Sequence, residues 1–334
     1  FTNNYSVTPA TSASLNIPLS GSKNITGRNF RQDDTFTFTI AAAQATADAP
    51  LPQKEGHDVT SVTITPTNGD TADFDFDGEI TFNKPGEYRY IIRENNGSLG
   101  GVDYDTAVFR LNIVIVDNGD GTLRLANVDE IGSLTEDDGM VGGENPLHYT
   151  SNPMIQEYTG GEMLPAENNS VVFENNYDAD AATASIQGTK VLNVTDSDYK
   201  LDDGDFNFTI ESLGSTTEEK DSYTAEDFVA DQTQPMPVNT EGNPVTVVTN
   251  IANGDVQFGF AQGSFTQDMV GKTYGYRITE SLGNAPDNTV MDSNTSHIVW
   301  ITVGDDGQGH VTTTVEPNDG TTEAPNNFTF TNTY

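Results

Sequence analysis

The sequence has no cysteine and few cations. Fourteen Lys and Arg stand against 51 Asp and Glu, a formal net charge of −37 over 334 residues. Without cysteine there is no disulfide framework and no thiolate chemistry. So acidic a chain repels phosphate backbones and anionic lipid, which excludes nucleic acid and membrane surfaces as partners. No apolar run approaches the ~20 residues of a membrane-spanning helix, so no membrane insertion is expected. The histidines (His57, His148, His297 and His310) are scattered without metal-ligand spacing, so neither a metal nor another cofactor is expected. No secretory leader opens the chain and no sorting tail closes it; the expectation is either a mature internal piece or a segment excised from a longer protein. Helical periodicity is also scarce. The Ala-rich stretch 41–50 could form a short helix, ended by Pro50 and Pro52.

What is present is period-two alternation. Phe36-Thr-Phe38-Thr-Ile40 and Phe206-Asn-Phe208-Thr-Ile210 place apolar residues on one face. The Val/Ile-rich runs Val108 to Val116 and Ile298 to Val303 are followed by hairpin-turn sequences at 117–121 and 304–309. With 17 Phe and 12 Tyr placed in such runs, the acidity does not signal disorder. The chain reads as all-β, built of β-sandwiches.

The two halves repeat one another. Tyr88-x-Tyr90-x-Ile92-x-Glu94 returns as Tyr274-x-Tyr276-x-Ile278-x-Glu280, and Asn68-Gly-Asp70 as Asn253-Gly-Asp255. Gly21-Ser-Lys23 matches Gly188-Thr-Lys190, and Phe173-x-Asn175-x-Tyr177 matches Phe330-x-Asn332-x-Tyr334. This order gives two modules, 10–180 and 181–334. A further copy of the closing motif, Phe1-x-Asn3-x-Tyr5, suggests that residues 1–9 are the closing-strand remnant of a preceding module or a linker. Neighbouring modules of the same longer chain are then the expected partners, and Asn3, its lysine lying upstream, is expected to stay unlinked. The halves differ in polar stretches at about 126–170 and 215–248, expected to be surface loops or insertions.

In a strand, residues i, i+2 and i+4 share a face. Glu94 therefore points with Tyr88, Tyr90 and Ile92; Asn175 with Phe173 and Tyr177; Lys23 with Ile17, Leu19 and Ile25. The second module repeats this with Lys190, Glu280 and Asn332. Each module aims one amine, one carboxyl and one carboxamide at apolar surroundings, which is costly unless they pair or lose charge. One reading is a buried Lys–Glu ion pair with a hydrogen-bonded Asn. Such a pair is weak evidence of stabilisation alone. The other is covalent. Desolvation lowers a Lys pKa and raises a Glu pKa, a neutral amine is a nucleophile, and a protonated Glu can polarise the Asn carbonyl and shuttle protons. The amine would then displace ammonia and leave a Lys–Asn isopeptide bond.

Together, the Gly-[Ser/Thr]-Lys opening strand, Tyr-x-Tyr-x-Ile-x-Glu and the closing Phe-x-Asn-x-Tyr resemble the isopeptide-linked pilin domains of Gram-positive bacteria. That is the major-pilin or T-antigen-like family, related to Cna B-type folds. The resemblance implies two tandem Ig-like (Cna B-type) β-sandwiches in an elongated arrangement. It implies links Lys23–Asn175, assisted by Glu94, and Lys190–Asn332, assisted by Glu280. It also implies a secreted, wall-attached protein outside the cell. No wall-sorting or pilin-polymerisation motif is visible, which leaves polymerising pilin and monomeric adhesin stalk both open.

A cross-link between the module ends would carry pulling force past the sheets. By analogy with disulfide loop entropy, closing ~150 residues stabilises by roughly 5 kcal/mol. The function expected is a structural stalk, not an enzyme beyond its own cross-linking. The alternative is a ligand-binding adhesin recognising a host protein, a glycan or another cell through the inserted loops. Acidic clusters at Asp196/Asp198, Asp202/Asp203/Asp205, Glu136/Asp137/Asp138 and Asp117/Asp120 lack an EF-hand pattern and read first as solvated turns, with calcium binding by such an oxygen-rich loop left open. Asn24, Asn193 and Asn207 head glycosylation triplets that matter only in a eukaryotic secretory context. Trp300 reads as core, and no carboxylate spacing identifies a glycosidase pair.

Overall fold

The structure, a computed structural model, describes residues 5–46, 48–131, 133–135, 146–159, 161–195, 197–317 and 327–334. It divides into two compact units, Phe1–Tyr177 and Asp178–Tyr334. Thr8 bridges to Thr122 and Ala10–Thr11 pairs with Thr81–Phe82 in the first unit. Ala179 and Asp180 belong to the second, where the Ala179 amide donates to Gln267 Oε1 and Asp180 bridges to His310. Asn3, Asp196 and the cluster Glu136/Asp137/Asp138 lie outside the described residues.

Each unit has a smaller sheet facing a larger one across an aromatic core. In the first unit the small sheet runs Val102–Asp103, Val172–Tyr177, Ser20–Thr26, Thr71–Asp75. The large sheet runs Glu162–Pro165, Met154–Thr159, Val108–Asp117, Gly86–Glu94, Phe36–Ala42, Ser61–Ile64. In the second unit the small sheet is Asp255–Gly259, Ser185–Asn193, Asn327–Thr333. Its large sheet is Val247–Thr249, Phe206–Thr216, Thr273–Leu282, Ser296–Asp305, Val311–Pro317. In both units the opening and closing strands are parallel neighbours, Ser20–Thr26 with Val172–Tyr177 and Ser185–Asn193 with Asn327–Thr333. All other strand pairs named in the sheets are antiparallel.

The alternation of the Phe-x-Phe strands is realised as packing. Phe38 stacks on Phe74 with ring centroids 3.9 Å apart and packs on Phe173 at 5.4 Å. Phe208 meets Phe330 at 5.7 Å. These rings also explain the glycine of Gly-[Ser/Thr]-Lys. A Cβ on Gly21 would sit 2.6 Å from Phe74 Cζ and 2.7 Å from the Val171 carbonyl oxygen, and one on Gly188 would sit 2.2 Å from the Phe328 ring.

One expectation is corrected and two are sharpened. Among the described residues of 41–50 no α-helix forms: the Phe36–Ala42 strand continues through Ala41 and Ala42, which pair with Ile91 and Tyr90, and a 3-10 turn follows at Gln44–Thr46. The 126–170 stretch is not bare loop. Its Met154–Thr159 and Glu162–Pro165 strands extend the large sheet, and Tyr149 and Met154 pack with Val114 and Ile131 on the sheet's outer face. Trp300 is buried as expected, in a hydrophobic cluster on the outer face of its sheet. There Tyr223 and Phe228 of the 215–248 stretch cover it.

Candidate functional site

The opening, acid and closing strands bring Lys23, Glu94 and Asn175 together at the centre of the first unit. Lys23 sits on the small sheet opposite Phe173 of the closing strand, while Asn175 pairs two residues on with Ile25. Glu94 ends the Gly86–Glu94 strand in the middle of the facing sheet, opposite Phe38. The Lys23 amine donates to Glu94 Oε2 at 3.1 Å and lies 3.5 Å from the Phe173 carbonyl oxygen. Both side chains of the ion pair are fully shielded from solvent. Asn175 Nδ2 donates to the other carboxyl oxygen, Glu94 Oε1, at 3.0 Å. The Phe36 ring lies 5.3 Å from the amine.

The second unit repeats the placement. Lys190 stands opposite Phe330, and Asn332 opposite Leu192. Lys190 Nζ lies 2.9 Å from Glu280 Oε1 and donates to the Phe330 carbonyl oxygen at 3.2 Å. The contact is an ion pair by distance, without hydrogen-bond geometry at either Glu280 oxygen. Asn332 Nδ2 donates to Met291 Sδ at 3.4 Å, and the Asn332 side chain also acts on the Glu280 carboxyl, pulling it down against burial. The Phe206 ring closes over the amine at 4.4 Å.

Burial dominates the electrostatics of all four ionisable groups. It pushes the Lys23 amine down, against the pull of Glu94, and the Glu94 carboxyl up, against Lys23 and the Asn175 hydrogen bond. Lys190 is likewise lowered by burial and Glu280 raised by it. Desolvation disfavours either charged form, so both sites lean toward a neutral amine beside a protonated acid.

One residue of the arrangement is absent from the motif reading. The Asp105 amide donates to Asn175 Oδ1 at 2.7 Å, and the Asp292 amide to Asn332 Oδ1 at the same 2.7 Å. A backbone N–H can only donate, so it must face the carboxamide oxygen. That orientation leaves Asn175 Nδ2 for Glu94. The sequence trace is slight: an Asp followed by Thr or Ser, shortly after the acid strand and just before the next long strand.

With this geometry in place, a protein-family model decides the family. It describes the Spy0128-like isopeptide containing domain (FctA) and matches residues 19–178 and again 186–334. The chain belongs to this family. As a Spy0128-like protein, it carries one complete Lys/Glu/Asn set in each matched stretch. The chain is also similar to the major pilin from Streptococcus pyogenes: 18% identity, 94% of this chain and 97% of that one, TM-score 0.28. The T-13 major pilin of the same species gives 17% identity, 94% and 96% coverage and a TM-score of 0.28. A mutant of the shaft pilin spaA from Lactobacillus rhamnosus GG gives 12%, 94%, 97% and 0.19. Membership rests on the family match over both stretches. A comparison with curated proteins gave no match.

The remaining candidates are turn residues. Asp117 Oδ1 accepts the Gly119 amide, and Asp120 Oδ1 the Thr122 amide, inside one hairpin turn. Asp203 and Asp205 accept the amides of Ala252 and Asp202. Among the described residues no group of three or more His, Asp or Glu side chains could hold a metal ion. No helix among them is long and apolar enough to cross a membrane.

Proposed function

We propose that each unit closes an intramolecular isopeptide bond, Lys23 to Asn175 with Glu94 as proton shuttle and Lys190 to Asn332 with Glu280. On this reading the two braced units serve as shaft modules of a Gram-positive surface pilin. The single observation that carries the reading is the Glu94 carboxyl. Its two oxygens face the Lys23 amine and the Asn175 carboxamide at hydrogen-bond distance, out of solvent.

The chemistry follows from that placement. The neutral Lys23 amine adds its lone pair to Asn175 Cγ, and the carbonyl π electrons move onto Oδ1. Glu94 takes a proton from the amine on one oxygen and delivers one to the departing Nδ2 from the other. The Cγ–Nδ2 bond breaks, the carbonyl re-forms and ammonia leaves. A buried ion pair alone explains neither why the acid also meets the carboxamide nor why the set occurs twice.

The insertions favour a shaft over a ligand-binding surface. Among their described residues, the large aromatics Tyr149, Tyr223 and Phe228 are buried and Tyr158 is half-buried, so these rings form no exposed aromatic patch to receive a host protein or glycan. The family and the resemblance point to a location outside the cell, at the bacterial wall, with further pilin modules as partners.

Intact mass tests the reading. Two bonds expel two ammonia molecules, so the purified chain weighs about 34 Da less than its sequence. An unshifted mass rejects the cross-link and leaves the buried ion pair.

A further inference from the structure

The Asp105 and Asp292 turns do more than close loops. In the first unit the Asp105 amide donates to Asn175 Oδ1 at 2.7 Å. The Asp105 carboxylate anchors the turn from both sides. Oδ2 accepts the amide of Glu174, the residue just before Asn175, at 2.8 Å, and Oδ1 accepts the amide of Ala107 at 2.8 Å. The second unit repeats every bond: Asp292 amide to Asn332 Oδ1 at 2.7 Å, Thr331 amide to Asp292 Oδ2 at 2.7 Å, Asn294 amide to Asp292 Oδ1 at 2.9 Å. Three matching bonds survive in the two units although the surrounding loops differ in sequence and length.

The oxygen held this way is the atom on which negative charge develops when the amine adds to the carboxamide. A donor fixed on that atom before reaction stabilises the tetrahedral intermediate without reorganisation. The same bond sets the rotamer and flip of the carboxamide, so the leaving nitrogen points to Glu94. The carboxylate's two amide bonds do not touch the reacting atoms. They fix the peptide that does.

We propose that the Asp105 and Asp292 turns are the oxyanion clamps of the two units, the backbone N–H holding the carboxamide oxygen and the Asp carboxylate acting as the positioning group that aims it. This deepens the cross-linking reading and rests on it. In the balanced step the electrons pushed onto Oδ1 are held by the Asp105 N–H while the proton passes from Lys23 through Glu94 to Nδ2, and they return when ammonia departs.

The test follows the full chain through pulsed cell-free synthesis, with intact mass at timed quenches. Each unit acts as the clock for the other. Asp105→Ala is expected to slow the first link by about 10- to 100-fold, so that singly linked chain accumulates. Asp292→Ala should do the same for the second link. Asp105→Asn keeps one acceptor oxygen and is expected to restore part of the rate. A spectroscopic readout separates aiming from mere folding. In unlinked Glu94→Ala protein, the Asn175 carboxamide carbon resonance should move upfield when Asp105→Ala is added. Wild-type chain of unshifted mass overturns the cross-link and the clamp with it. Linked wild type with both alanine variants keeping pace overturns the clamp alone. If the alanine variants do not fold, folded Asp105→Asn decides: a wild-type rate there overturns the clamp, and a slowed rate supports it.

Discussion

Lys23 stands opposite Phe173 in the parallel pairing of the first unit's terminal strands, one same-face step short of Asn175. A bond between them therefore spans neighbouring strands at the two ends of the unit's chain, and everything between becomes a closed loop. Tension entering at residue 23 leaves at 175 without loading the sheets. Single-molecule pulling should show no unfolding of that loop in wild type. Asn175→Ala should unfold and lengthen by roughly 500 Å, the reach of about 150 extended residues. Equal lengthening in wild type would show that the ends are not joined.

The two sites share no residue, so their chemistry should be independent. Glu94→Ala is expected to leave a chain lighter than its sequence by about 17 Da, one ammonia, and Glu280→Ala likewise. The double variant should match the sequence mass. Proteolysis of Glu94→Ala should open the first unit and spare the second. Full linkage in Glu94→Ala would remove Glu94 from the mechanism.

The alternation and the repeat made most of this architecture readable before any coordinates. Lys23, Glu94 and Asn175 stood out because each is polar on a strand face otherwise marked by apolar residues: Leu19 and Ile25, Tyr90 and Ile92, Phe173 and Tyr177. Asp105 and Asp292 did not, because their contribution comes from a backbone amide, and an Asp in a turn of so acidic a chain looks like solvated surface. The outer faces of the large sheets were equally opaque. Arg110 and Asn112 are buried together with Gln156 of the first unit's insertion, and Asn112 Nδ2 donates to the Met154 carbonyl oxygen. Nothing in a polar stretch announces that a single Tyr149, or a Tyr223 and Phe228, will fold back over the sheet. The Ala-rich 41–50 stretch misled through propensity; ladder pairing with Tyr90 and Ile91 overrode it.

Gly21 is a packing requirement as much as a motif residue. A methyl there meets the Phe74 ring and the Val171 carbonyl oxygen, which already accepts the Ser22 amide at 2.9 Å. Backbone cannot yield as a flexible side chain can. Gly21→Ala should destabilise the first unit by about 1–3 kcal/mol, measured by thermal unfolding in a Glu94→Ala background where no cross-link masks the effect. An unchanged melting temperature would mean that the opening strand shifts freely. In the linked protein the same substitution should lower the yield of the first bond, because it displaces the strand that carries Lys23.

The buried amine and acid leave a pH signature that appears only when the bond cannot form. With Asn175 in place, burial lowers the Lys23 amine from its ordinary 10.5 and raises Glu94 from its ordinary 4.5. Asn175→Ala is expected to keep both directions, because the burial stays and only the Asn175 hydrogen bond, which pulls Glu94 down, is lost. The unfolded chain then binds the Lys proton more tightly than the folded one, so the Lys contribution improves as pH rises from the folded pKa to 10.5. For Glu94 the sign reverses. The folded state holds the proton longer, and its contribution is full below 4.5 and lost as pH climbs through the raised value. Melting temperatures of Asn175→Ala should therefore fall as pH rises from 4.5 and recover toward 10.5, relative to a variant that also carries Lys23→Met and Glu94→Gln. In wild type the Lys23 limb should be missing, since an amide nitrogen does not titrate. Identical profiles for Asn175→Ala and the triple variant would show that neither group is held away from its ordinary charge state, removing the neutral nucleophile on which the reaction depends.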